Sequence, residues 1–296
     1  MRIRKENLVE DYALRDASSY VADTLGTFAG FMHGNDGLYS WKSLEAPDES
    51  LDSRVRTRKA EGFDSAAMST RIKEVAGFFG ADLVGIAKLN RLWLYSQSYN
   101  RVTDQSSPIK MPKGCESVIV MTVEMDYRTH VGSDMGASTA TGLGYSKMAF
   151  VSSLTAQFIR NLGYAALPCG NDTALSIPLA VDAGLGELGR NGLLITPQFG
   201  PRVRLCKVIT DLPLQPDRPI DFGVQEYCER CGKCSENCPA HAISNEKTAS
   251  VINASGSSGV LKWPVNGEEC FRFWCKEGID CSICVRVCPL NARRRC

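Results

Sequence analysis

No apolar run in this chain approaches the length of a bilayer-spanning helix; the best, Val118 to Val123, is the length of a strand. An excess of one charge is also missing. Lys and Arg number 34 against 33 Asp and Glu, a net charge of +1, so nothing electrostatic argues for a nucleic-acid partner. Met1-Arg2-Ile3-Arg4-Lys5 leads into Glu6 and Asn7, with no apolar stretch or twin-arginine segment, and the chain as written is expected to stay in the cytoplasm. With 44% hydrophobic and 23% charged residues, 296 residues suffice for an ordinary soluble core plus a small module.

What is abundant is cysteine, 13 in all, and eight of them follow a pattern. Cys228-x2-Cys231-x2-Cys234-x3-Cys238-Pro239 is the full bacterial ferredoxin run, and Cys281-x2-Cys284-x3-Cys288-Pro289 is a second run short of one member, which Cys270 upstream can supply. A tight loop delivers three thiolates to one 4Fe-4S cubane, and the fourth cysteine, followed by proline, ligates the other cluster. By that rule Cys228, Cys231, Cys234 and Cys288 hold the first cluster and Cys238, Cys270, Cys281 and Cys284 the second. Zinc sites instead set one C-x2-C pair against another, and a folded chain of this length needs no disulfide staples. Cys275 lies close enough in sequence to rival Cys270. Cys115, Cys169 and Cys206, in apolar stretches, read as buried small hydrophobes.

Residues 1–60 are polar and weakly periodic with scattered aromatics (Tyr12, Tyr20, Phe28, Phe31, Tyr39, Trp41), which fits an N-terminal arm or short helices over something larger. An α/β domain is expected over 61–221. Its signals are a helix capped by Ser69 with Ile72, Val75, Ala76 and Phe79 on one face, ended by Gly80, and then a buried strand, Leu83 to Ala87. The unbroken apolar run Val118 to Val123 predicts a strand buried on both faces. A long helix is expected from near Tyr145, its stripe Met148, Val151, Leu154, Phe158 and Leu162 closed by Gly163. Strands follow at Leu193 to Thr196 and Arg204 to Thr210, and strands alternating with helices imply α/β layers. Pro213, Pro216 and Pro219 form a stiff linker into a two-cluster module over 222–296.

Gly184-Leu185-Gly186-Glu187-Leu188-Gly189 matches the dinucleotide pattern G-x-G-x-x-G, which carries that meaning only between a strand and a helix. Here Leu193 to Thr196, Pro197 and Gly200-Pro201 follow too soon for a long helix, and the reading is a glycine-rich turn packed close to some other ligand.

Several segments resemble the corrinoid-dependent reductive dehalogenases of organohalide-respiring bacteria. They are Phe79-Gly80-Ala81-Asp82-Leu83-Val84-Gly85-Ile86-Ala87, Gly142-Leu143-Gly144-Tyr145, Gly170-Asn171-Asp172, the block from Ala183 to Pro197, Gly200-Pro201-Arg202-Val203-Arg204, and the two cluster motifs, all in the family's order. The resemblance implies a nitroreductase-like, cobalamin-binding α/β (α+β) domain beside a ferredoxin-like module with two 4Fe-4S clusters. It implies reductive dehalogenation of a small-molecule organohalide. Electrons from an external donor (quinol-linked, ferredoxin or flavodoxin) would pass through the clusters to a base-off corrinoid, cobalamin or a relative, whose Co(I) cleaves the carbon-halogen bond. A small membrane anchor protein is a further expected partner. Of the three histidines, His33, His130 and His241, none lies in the D-x-H-x-x-G motif by which other corrinoid enzymes bind cobalt from below.

Carried over residue by residue, the resemblance implies Tyr145 as proton donor to the substrate carbon, Arg204 as the nearby basic residue and Asn171 as the polar residue completing the site. Thr141 and Trp274 would line the substrate pocket, and Gly186 and Asn191 would let the backbone approach the corrinoid. A free phenol, with a pKa of about 10, is a poor acid at neutral pH, and an adjacent guanidinium would stabilise the phenolate it leaves. Without the family motifs, Tyr145 reads as a packing residue, Arg204 as half of an ion pair and Asn171 as part of a turn.

Two other functions compete. An epoxyqueuosine reductase would share the corrinoid domain and cluster layout but needs a basic surface for tRNA and usually carries helical repeats after the clusters. A non-enzymatic electron-transfer subunit would need iron and sulfide but no corrinoid. Family members typically carry a twin-arginine leader, are exported to the outer face of the cytoplasmic membrane, and continue past the last cluster cysteine. A processed, truncated or cytoplasmic catabolic-type member is therefore expected.

Overall fold

A computed structural model describes residues 9–21, 38–39, 62–100, 104–251 and 258–291. Helix α1 (Val9–Tyr20) comes first, then α2 (Ser65–Phe78), strand β1 (Leu83–Lys88), a hairpin of β2 (Gln97–Asn100) and β3 (Gln105–Pro108), and β4 (Ser117–Glu124). Next are α3 (Tyr127–Gly132), α4 (Asp134–Asn161), β5 (Ala166–Cys169), α5 (Ser176–Asp182), the short strands β6 (Glu187–Leu188) and β7 (Leu194–Ile195), and β8 (Val203–Thr210). The last elements are α6 (Val224–Cys231), α7 (Lys233–Glu236), α8 (Gly267–Glu277) and α9 (Ile283–Arg286). Among the described residues no helix is long and apolar enough to cross a membrane.

The main sheet has the order β1-β4-β8-β5, and every neighbouring pair is antiparallel, with Val84 opposite Met121 and Met121 opposite Cys206. Alternation along β4 sends Val118 and Val120 to one face and Ile119, Met121 and Val123 to the other. The first face packs on Leu179 and Ala180 of α5; the second packs on Ile72 and Ala76 of α2 and Met148, Val151 and Ile159 of α4. All six residues from Val118 to Val123 are buried, so the both-faces reading holds, here in an antiparallel sheet clad by helices on either side. Burying each such side chain contributes roughly 1.5–3 kcal/mol. Cys115, Cys169 and Cys206 are fully buried among these residues.

Two helix starts differ from expectation. The cap of α2 is Asp64, whose carboxylate accepts from Ala67 N at 3.1 Å, while Ser69 lies inside the helix and bonds back to Ser65 O. The apolar stripe begins only at Ile72, so periodicity placed the start too late. The long helix begins at Asp134, capped by Ser133, and Tyr145 is mid-helix. Gly142 and Gly144 look like breakers, at about 1 kcal/mol each against alanine. Contact decides instead: a Cβ on Gly142 would lie 2.2 Å from Ser19 Oγ of α1, and one on Gly144 would lie 2.8 Å from Arg204 Cγ.

Leu193 to Thr196 yields only the two-residue strand β7, paired with β6. The glycine block is a turn and a small hairpin, with no strand-to-helix entry for a dinucleotide. The Pro213 to Pro219 segment lies along β1, where Asp217 accepts from Ile86 N at 2.8 Å and pairs with Lys73 at 2.5 Å. The C-terminal segment is tied to the sheet by Arg202, fully buried, which bonds Asn291 Oδ1 at 3.0 Å and Glu124 at 2.6 Å.

Candidate functional site

Short helices separated by tight turns present the cysteine runs. Gly232, at φ +64°, breaks α6 from α7 and lets the chain reverse between Cys231 and Cys234. Cys228, Cys231, Cys234 and Cys288 line one hollow together with Arg190, Asn191 and Leu290. Cys238 instead packs with Ala242 and Ile243, and Cys234, Cys270 and Cys284 lie against that group. Burial pushes the Cys270 thiol up to about 11, with Cys238 and Cys281 adding to the rise. Burial likewise pushes Cys288 up to about 11, with Cys228 and Cys231 as its neighbouring thiols. Cys275 is exposed, so the structure puts Cys270 rather than Cys275 beside Cys238 and Cys281. No three His, Cys, Asp or Glu side chains among the described residues converge tightly enough for a single metal ion.

On the α2/α4 face, three residues from distant parts of the chain meet. Tyr145 Oη accepts from Asn171 Nδ2 at 2.9 Å and from Arg204 Nη1 at 3.3 Å. The Arg204 guanidinium lies 4.7 Å from the centre of the Tyr145 ring, and its Nη2 donates to Thr141 Oγ1 at 3.1 Å. Arg204 reaches this point only because Gly144 lacks a side chain. Both bonds place donors on the phenol oxygen, and its own proton has no acceptor among the described residues.

Trp274 lies elsewhere, in a cleft of about 420 Å³ between α1, α4 and α8 that Arg15, Ser138, Phe271 and Cys275 also line. That size suits a small ligand. Ser138 is one helical turn from Thr141, so the cleft adjoins the Tyr145 group along α4. Gly186 and Asn191 do not meet there. A Cβ on Gly186 would lie 2.1 Å from Ile195 O, so the hairpin itself requires this glycine, and Asn191 sits in the wall of the first cysteine hollow.

No protein-family model matches the chain. It is 41% identical, over 86% of its length and 53% of the relative's, to a tetrachloroethene reductive dehalogenase of Desulfitobacterium hafniense. This chain is a homologue of the reductive dehalogenases. A solved reductive dehalogenase, described in terms of B12-dependent dehalogenation, superimposes with a TM-score of 0.71 at 27% identity over 80% of this chain and 34% of that one. A catabolic reductive dehalogenase solved with 3-bromo-4-hydroxybenzoic acid gives 0.70 at 27% identity, over 80% and 33% of the two chains. The chain spans about half the length of the curated relative it matches.

In this reductive dehalogenase homologue, other residues around the site left no signal in the sequence. Tyr39, among the N-terminal aromatics, puts its hydroxyl 3.0 Å from where a Cβ on Gly170 would stand, beside Asn171. Burial pushes its phenol up, with Cys206 and Asp172 adding. Lys207, fully buried, donates to Gly170 O at 2.5 Å and Ser176 Oγ at 3.0 Å, holding the turn that carries Asn171. His130 is fully buried with neither ring nitrogen bonded among the described residues; burial, then Arg204, Arg286 and Arg202, push it down to about 3. Of the remaining N-terminal aromatics, Phe28, Phe31 and Trp41 lie outside the described residues, as do His33 and Cys296.

Proposed function

We propose that this chain carries the reaction centre of a corrinoid- and iron-sulfur-dependent reductive dehalogenase. Two electrons from an external one-electron donor and one proton enter, the carbon-halogen bond of an organohalide breaks, a carbon-hydrogen bond forms, and halide leaves. The observation that carries the reading is the convergence of Asn171 and Arg204 on Tyr145 Oη, next to a ligand-sized cleft.

The residues fit the groups the reading requires. Cys228, Cys231, Cys234 and Cys288 would hold one cluster, and Cys238, Cys270, Cys281 and Cys284 the other. Crowded, buried thiols resist ionisation when alone, as the raised Cys234 (about 11) and Cys270 (about 11) illustrate, and bound iron supplies the positive charge that makes thiolates favourable there. Arg204 Nε and Arg286 Nε and Nη1 are buried without acceptors among the described residues. Arg286 also donates to Cys281 O at 3.3 Å, so these unspent donors extend from the Tyr145 group toward the second cysteine set. A corrinoid, with its fringe of amide carbonyls, offers acceptors for donors so placed. When bound, it would supply the strongly reducing centre needed to cleave the carbon-halogen bond.

The chain's own part is proton delivery and charge. Tyr145 holds the proton at Oη, and Asn171 and Arg204 stabilise the phenolate left after transfer. Arg204 also places positive charge where halide departs. The solved complex with a brominated hydroxybenzoate and the tetrachloroethene-reducing relative both favour an organohalide.

The test is anaerobic reconstitution followed by elemental analysis, visible and EPR spectra, and a halide-release assay on chlorinated ethenes and brominated phenols. About eight irons and one corrinoid per chain are expected, with turnover. Tyr145→Phe is expected to keep both contents while turnover falls by about 10² or more. Iron uptake with no corrinoid uptake would sink the reading in favour of an electron carrier; full turnover by Tyr145→Phe would remove the proton-donor role.

A further inference from the structure

Arg190 stands at the tip of the β6-β7 hairpin, 5% exposed, and spends its donors on main-chain carbonyls alone. Nε and Nη2 donate to Cys228 O at 3.1 and 2.6 Å, Nη2 also to Glu229 O at 3.4 Å, and Nη1 to Asn245 O and Ser244 O at 2.8 and 3.4 Å. The guanidinium carbon lies 4.6 Å from the centre of the Trp263 ring, which is itself buried and keeps water off that face. No carboxylate among the described residues pairs with Arg190. Glu187, on the preceding strand, is taken up by Phe222 N at 2.7 Å and Val224 N at 3.3 Å.

A buried guanidinium without an ion pair is costly. The carbonyls and the Trp263 ring satisfy its donors and its face, and the carboxylate that feels its charge, Glu229, is exposed and paired with Lys247. Arg190 also lines the same hollow as Cys228, Cys231, Cys234 and Cys288. We infer that Arg190 is the built-in counter-charge of the first cluster and sets its reduction potential by stabilising the reduced form. The inference rests on the assignment of those four cysteines as cluster ligands. On reduction the cluster takes one electron from an external one-electron donor and gains one negative charge, with no atom transferred. A fixed cation in a dry wall favours that form.

The second cysteine set supplies an internal contrast. Arg286 there donates to Cys281 O just as Arg190 does to Cys228 O, but Arg286 is ion-paired with Asp134, both nearly buried. Its charge is paired at close range, while Arg190 makes no ion pair among the described residues and is offset only at longer range by exposed Glu229 and by Glu187, which acts on the same Cys228. The two sets therefore share a backbone-bound arginine and differ in net charge, which separates the potentials of the two clusters.

EPR-monitored redox titration of the anaerobically reconstituted full chain, with dithionite and mediators, tests this. In Arg190→Gln the first cluster is expected to become harder to reduce. At the poise where it is half reduced in the original protein, its oxidised-to-reduced ratio rises about tenfold, a shift of about 59 mV for one electron. The second cluster should not move. Arg190→Lys keeps the charge and is expected to stay within about twofold of the original ratio. Unchanged potentials in iron-loaded Arg190→Gln overturn the inference, as does an equal fall in Arg190→Lys, which would assign the effect to hydrogen bonding. If Arg190→Gln takes up no iron, Asn245→Asp decides, since it adds a carboxylate to the loop that binds the guanidinium. The same cluster then becomes harder to reduce, and an unmoved potential overturns the inference. Failure of the original protein to take up iron would instead sink the cluster assignment.

Discussion

Replacing Gly144 with alanine separates the stability of α4 from the chemistry beside it. A Cβ there would stand 2.8 Å from Arg204 Cγ, closer than real Cβ contacts, so the arginine stem must move by several tenths of an ångström. Its bond to Tyr145 Oη is already long at 3.3 Å, and the shift breaks or redirects it. Alanine gains about 1 kcal/mol of helix propensity over glycine. Overpacking costs about 1–3 kcal/mol. The net loss is about 0–2 kcal/mol, or a fall of up to about 8 °C in Tm for a chain of this size. Function should suffer more, because a displacement approaching 1 Å at a catalytic group costs about 10²-fold. Between tenfold and a hundredfold loss of halide release is expected, with cluster and corrinoid content unchanged. Gly77→Ala is the control: it lies in α2 with nothing within 4 Å of a new Cβ, and it should retain stability and turnover. Gly144→Ala protein with full turnover would refute the claim that this glycine exists to admit Arg204.

Two further outcomes are expected. Cys270→Ser should lose about four of about eight irons, whereas exposed Cys275→Ser should lose none; the reverse result in iron analysis would reassign the ligand. His130 is held neutral by burial and by the positive field of Arg204, Arg286 and Arg202, with its pKa lowered from 6.5 to about 3. Between those values the unfolded chain binds the extra proton, so this contribution to stability is complete above pH 6.5 and is lost as pH falls toward about 3. Thermal melts of His130→Leu should therefore show a shallower loss from pH 7 to pH 5 than the original protein, and parallel curves would refute this.

Much of the fold was legible where a local pattern had one physical cause. The run Val118 to Val123 reads as a strand buried on both faces, because five of its six residues are apolar and leave no side for water, and Thr122 is buried with them. Ile72, Val75 and Ala76 marked the buried face of α2 for a similar reason. The start of α4 was not legible, because glycines that signal a break in isolation instead admit neighbours, Ser18 and Ser19 at Gly142 and Arg204 at Gly144. Direction in the sheet was also invisible: burial on both faces follows from the helices on either side, whichever way the strands run.

The sequence by itself expressed the ferredoxin-type cysteine spacing on which the proposed cluster assignment rests, since C-x2-C-x2-C-x3-C-P is a local pattern. It also determined the kinship, carried by motifs such as Gly142-Leu143-Gly144-Tyr145 and the block from Ala183 to Arg204. Tertiary structure alone decided between Cys270 and Cys275, and it supplied the contacts behind groupings the sequence had only implied, Cys288 with Cys228 and Asn171 and Arg204 on Tyr145. It alone decided that Arg190 is buried without an ion pair among the described residues while Arg286 has Asp134, and that Lys207 and His130 are fully buried. The physical reason is that charge, burial and hydrogen bonding depend on neighbours in space, and bonded partners here lie far apart along the chain, 26 residues for Asn171 and Tyr145 and 152 for Arg286 and Asp134.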